Sequence, residues 1–138
     1  MSHFTVVEIE ATDGSCLIKA LEAVGYKGKI EVHERPVTLI GYDGRPRLLN
    51  EQEVRADIVI RRRHLWEAAN DIGFARQSDG RYVAYISEYD RSVRPTWHTD
   101  VIKEYGAAKA AKELRAQGWN VEITRDRGQV RVQGLRYA

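Results

Sequence analysis

The chain is poor in the residues that most often give a function away. It holds one cysteine, Cys16, so no internal disulfide can form. Cys16 stands beside the apolar stripe of an expected helix, which makes it a buried, inert thiol rather than a redox centre. The glycines are scattered over turns and never grouped as GxGxxG or GxxxxGK[ST], so phosphate-cradling loops are missing and no cofactor is expected. No apolar run approaches the length that spans a bilayer, and the opening "MSHFTVVEIE" has neither the basic nor the apolar region of an export signal. A cytoplasmic protein with no membrane contact is the expectation. Lysine is absent from Arg45 to Arg94, a span that holds ten arginines and eight acidic residues. Such arginines suit bidentate pairing with carboxylates or phosphates, and the acids nearby offer internal partners.

What is present fits one compact domain. At 138 residues, with 43% hydrophobic and 30% charged residues, the chain can bury a core without a metal or disulfide. A net charge of +2 is too mild to predict nucleic-acid binding from overall charge. Alternation predicts a strand over residues 3–11, with Val7 and Ile9 opposite Val6 and Glu8. Leu17, Ala20, Leu21 and Val24 then recur at helical spacing over 14–24, with Thr12 or Asp13 as N-cap and Gly25 as stop. Short strands follow at "KIEVHE" and "VTLIGY", separated by Pro36, and "YDGRPRLL" turns at Asp43-Gly44. "NEQEV" has no clear period and reads as a loop or single helical turn.

"RADIVIRR", residues 55–62, carries a continuous β-branched run suited to a central strand buried on both faces. A hairpin is expected from Ile72 through Tyr82 to Ser87, turning at Ser78-Asp79-Gly80. After Pro95, a longer helix capped at His98 or Thr99 runs to Gln117, with Val101, Tyr105, Ala108, Ala111 and Leu114 on one face. A last hairpin turns near Asp126 to Gly128. The order is β-α-β-β-β-β-β-α-β-β, an α+β fold whose largely antiparallel sheet of hairpins carries two helices.

Few residues carry recognisable chemistry. Met1-Ser2-His3 would set an amine and an imidazole around square-planar Cu(II), but loss of Met1 moves the histidine, and His3 is read as accidental. His33, His64 and His98 form no local ligand pair, so no metal is assigned. "WHTD" offers His98 and Asp100 as an acid–base pair, against which stands helix capping with Trp97 packing. No nucleophile elbow or triad order accompanies Ser15, Cys16 or Ser87, so no enzyme activity is expected. The strongest positive signal is "IRRRHLW". If the strand continued, Arg61 and Arg63 would share one face and Arg62 the other. With Trp66 they would supply phosphate contacts and a stacking surface for single-stranded nucleic acid. The alternative pairs Arg61 and Arg63 with Asp57, Glu67, Asp71 or Glu88 and leaves Arg62 solvated. Tyr82, Tyr85, Tyr89, Trp97 and Tyr105 make an aromatic-rich middle that would anchor a protein interface where several are exposed together.

The opening Met-Ser-His-Phe, "ADIVIR", "NDIGF" leading into "ISEYD", and "EYGAAKAAKELRAQGW" before a closing hairpin carry a likeness over nearly the whole chain. In these motifs the sequence resembles a family of small proteins known as a hypothetical chloroplast open reading frame of red algae, with bacterial relatives, a domain of unknown function. The resemblance implies a standalone domain and no catalytic residues. It also implies adaptor or assembly work beside an AAA-type ATPase, since bacterial relatives are encoded near such ATPases and a small ferredoxin. The expected function is therefore a non-enzymatic interaction protein with a protein partner, contacting through an exposed sheet edge or an aromatic patch that includes Tyr85 and Tyr89, with Trp66 counted to the arginine segment. The alternative is a nucleic-acid module using Arg61, Arg62 and Arg63.

Overall fold

The computed structural model describes residues 4–66 and 68–135. Its centre is a five-stranded antiparallel sheet of β1 (Phe4–Ile9), β7 (Tyr82–Ser87), β6 (Ile72–Arg76), β5 (Arg55–Ile60) and β2 (Ile30–Thr38), in that order. The β-branched run of β5 explains its interior place, since Ile58, Val59 and Ile60 are all buried and serve both faces. Ile58 and Ile60 face the larger core with Val7, Ile9, Phe74, Ala84 and Ile86, while Val59 joins a smaller cluster around Leu39 and Val54 on the other face. Burial of each such side chain stabilises by about 1.5–3 kcal/mol, which fixes the strand's register.

Two helices cover the larger core. α1 (Gly14–Leu21) buries Cys16, Leu17, Ala20 and Leu21, and the Asp13 carboxylate caps it by accepting from the Cys16 amide at 3.1 Å. The helix then widens into a π turn over Glu22–Tyr26, ending around Gly25, whose φ of 116° suits glycine. After a short helix, α2 (Glu88–Val93), the long α3 (Trp97–Ala116) crosses α1. Tyr105 Oη accepts from the Thr12 and Asp13 amides at 3.2 and 3.1 Å, and Lys112 pairs with Asp13, so α3 holds the start of α1. Trp97 lies buried, stacked 6.0 Å from Phe74 and donating to Tyr26 Oη at 3.1 Å.

The α+β class and the antiparallel hairpins stand as the sequence predicts, and several details differ. "KIEVHE" and "VTLIGY" do not form two strands; β2 runs through Pro36 and absorbs it in a register shift between Val32 and Val37. Proline is tolerated there because β2 is an edge strand. "NEQEV" is neither loop nor helix but the tip of a small hairpin between β3 (Leu48–Leu49) and β4 (Gln52–Glu53), with Asn50 and Glu51 at φ of 51° and 65°. "EYDRSV", beyond the expected hairpin and assigned no helix from the sequence, is α2, started by Ser87, whose hydroxyl accepts from the Asp90 amide at 3.1 Å. α3 starts one residue before His98, with Thr96 at the N-cap position. The last hairpin, β8 (Asn120–Asp126) and β9 (Gln129–Leu135), is a separate two-stranded sheet packed on α3 and not part of the main sheet.

Candidate functional site

The arginine segment departs from its expected geometry. β5 ends at Ile60, and Arg62–His64 form a single 3₁₀ turn, so the three arginines do not alternate along a strand. Asp71 explains the turn. This fully buried carboxylate accepts from the Arg62 amide at 2.7 Å, from Arg61 Nη1 at 2.9 Å and from the Ile40 amide at 2.7 Å. Three donors satisfy a charge that would otherwise be costly to bury. Arg61 also donates through Nε to Glu31 at 3.0 Å and through Nη1 to the Thr38 carbonyl at 3.3 Å. Burial opposes the charge on Arg61, but Asp71 and Glu31 outweigh it and raise its pKa. Glu31 answers in kind: burial alone would push its carboxyl up, yet His33 and Arg61 hold it below its ordinary value.

Arg62 is not solvated, as the pairing alternative had it. Its Nε donates to the Ala69 carbonyl at 3.0 Å and its Nη2 to the Tyr42 carbonyl at 2.9 Å. Asn70 completes the joint, its side-chain oxygen accepting from the Tyr42 amide at 2.8 Å, while its Nδ2 is buried without a partner. Arg61 and Arg62 thus fasten segment 38–42 to the connection between β5 and β6. Only Arg63 reaches outward: its side chain is 68% exposed and stands 3.8 Å from Glu31. Together with Val37, Thr38 and Ile40, the arginines line an open groove of about 590 Å³.

The acids that do the pairing are Asp71, named from the sequence, and Glu31, which lay thirty residues away on another strand and carried no local signal. Asp57 instead accepts from the Arg76 amide at 2.8 Å, and Glu67 lies outside the described residues, as does His3. Sequence reasoning also missed Glu104, a buried carboxylate on α3 held by Arg125 of β8 at 2.7 and 2.8 Å. A charge-neutralised, doubly bonded carboxylate of this kind is a joint between elements rather than a proton carrier. The "WHTD" pair does not assemble either. Asp100 is engaged by Thr96 Oγ1 at 3.0 Å and Arg94 at 3.9 Å, and Trp97 serves the core.

A contact that the sequence did not suggest joins Trp66 to Tyr89. Their rings lie 4.7 Å apart, tilted by 38°, and the indole Nε1 donates to the Asp90 carboxylate at 2.6 Å. The same carboxylate accepts from Ser87 Oγ at 2.6 Å, so the cap of α2 also orients the tryptophan. Tyr89 is 52% exposed and Val93, one turn further along α2, 65%. Tyr85 does not join them: it is half-buried against the cluster of Leu39 and Val59.

Among the described residues, no group of three or more His, Cys, Asp or Glu is placed to hold a metal, and no helix is long and apolar enough to cross a membrane. Cys16 is buried, and burial, followed by the nearby Asp13 charge, pushes its thiol pKa up and away from reactivity. No family model, curated protein or solved structure matches the chain.

Proposed function

We propose that this chain is a non-enzymatic, cytoplasmic interaction protein that docks a protein partner on the surface formed by Trp66, Tyr89 and Val93. The observation that carries this reading is the exposed aromatic pair: Tyr89 and Val93 project from one side of α2, and Trp66 is braced against Tyr89 by its bond to Asp90. A pre-oriented tryptophan beside a tyrosine suits a binding hot spot, because large rings held in place contribute area at little further cost in side-chain entropy. The arginines support it indirectly. Arg61 spends its charge on Asp71 and Glu31 and Arg62 spends its donors on carbonyls, so most of the basic segment is engaged within the fold. An AAA-type ATPase is the partner class that the family resemblance implies.

A second reading, nucleic-acid binding along the groove of Arg61–Arg63, rests on the outward reach of Arg63. Affinity capture of the tagged protein from its native lysate, with and without nuclease, separates the two. A specific protein partner that survives nuclease is the expected result. Recovery of nucleic acid alone would replace the first reading with the second.

A further inference from the structure

The two edges of the main sheet are built differently. β2 is defended in the ways edge strands usually are, with a register shift between Val32 and Val37, Pro36, and the exposed charges of Glu34 and Arg35. β1 has only one of these defences, the exposed charge of Glu8. Its sequence, FTVVEI, contains no proline, lysine or arginine, and all six residues pair with β7 in unbroken register. The strand is therefore straight enough to offer its outer backbone groups as a template, and β7 is its sole strand neighbour among the described residues.

We propose that a second copy of this chain pairs antiparallel along β1, with Val6 facing Val6 of the copy on a two-fold axis. Val6 is 45% exposed on the face away from the helices, where Tyr85, Gly73 and Val59 follow it in one row across the sheet. Pairing at Val6 continues that row into the copy and covers the valine. Charge disfavours the registers centred further along the strand. Pairing centred on Glu8 would set two carboxylates directly opposite one another, and like charges so placed destabilise a sheet. Pairing centred on Val7 would set Glu8 against Val6 and leave the valine beside a charge. With Val6 at the axis, Glu8 falls opposite position 4 of the copy and meets no carboxylate. The axis stands perpendicular to the sheet, so both helical layers lie on one side of a ten-stranded sheet and the two smaller clusters around Leu39 lie on the other.

This association uses a different surface from the Trp66–Tyr89 contact and does not depend on it. Sedimentation equilibrium of the full chain over a concentration series is expected to show a reversible dimer. Val6→Lys, which places like charges across the axis, is expected to abolish the dimer while far-UV circular dichroism shows the fold intact. Residues directly opposite in an antiparallel pair have Cα atoms about 4.5–5.5 Å apart, within disulfide range. Val6→Cys with an added mild oxidant should therefore give a covalent dimer on a non-reducing gel, and Glu8→Cys should not; the native Cys16 is buried. A wild-type chain that stays monomeric throughout the series, or Glu8→Cys linking as readily as Val6→Cys, would overturn the proposal.

Discussion

Two neighbouring arginines of identical chemistry have opposite roles, decided by what each guanidinium meets. Arg61 holds a buried Asp71 and a half-buried Glu31, whereas Arg63 stands in solvent at 3.8 Å from the same glutamate. Removing one partner of a buried pair leaves the other charge uncompensated, so Arg61→Ala should cost about 3 kcal/mol. Arg63→Ala should change stability by no more than about 0.5 kcal/mol, as exposed pairs do. Urea titrations of the two variants check the contrast, and equal losses would refute it. The charge on Asp13 has a different use. The Lys112 ammonium, then the Ser15 hydroxyl, hold its carboxyl far below the usual carboxylate range, while its oxygen caps α1. Asp13→Ala should destabilise by about 1 kcal/mol through the lost cap.

Elements show where local signals were enough and where they failed. At the tip of the β3–β4 hairpin, Asn50 and Glu51 both adopt positive φ, the requirement of a two-residue turn of the I′ kind. Glutamate has no preference for that conformation, so Glu51→Gly should raise stability by about 0.5–1 kcal/mol in thermal melts, despite glycine's cost in the unfolded chain. At Gly73 the reverse holds. A Cβ there would come within 2.7 Å of Ala56 Cβ and of Leu39 Cδ1, so Gly73→Ala should lose about 1–3 kcal/mol. The hairpin of β6 and β7 was legible because its alternation and its Ser-Asp-Gly turn act over a few residues. The β3–β4 hairpin was not, because an Asn-Glu turn lacks the glycine that usually announces it. α2 hid for a similar reason: "EYDRSV" is too short for a helical period, and only the Ser87 cap marks its start. Ends of strands were equally opaque, since β5 stops where Asp71, eleven residues beyond Ile60, takes the Arg62 amide. The arginine segment and Trp66 were visible from their composition. Glu31, Asp90 and the Trp66–Tyr89 contact depend on tertiary placement, which no local pattern encodes.

For the molecule as a whole, acid should be more damaging than its small net charge suggests. Asp13 and Glu31 both have folded-state values below the ordinary carboxylate range. The unfolded chain therefore binds more protons than the folded one in acid. Their contribution is fully present above an unfolded value of about 4 and is lost as pH falls towards the lowered folded values. Melting temperature should drop steadily below that pH, and Asp13→Asn should flatten the slope; an unchanged slope would speak against this role for Asp13. At neutral pH the Asp13–Lys112 pair ties α1 to α3 on one face of the sheet and the Glu31–Arg61 pair ties β2 to the end of β5, and the contact of Trp66 with Tyr89 of α2 is separate from that arginine joint. Nuclease-treated capture from native lysate, run side by side with wild type, Tyr89→Ala and Arg63→Ala, tests that separation most directly. A protein partner retained by wild type and Arg63→Ala and lost by Tyr89→Ala is the predicted result; capture that depends on Arg63 and vanishes with nuclease would contradict it.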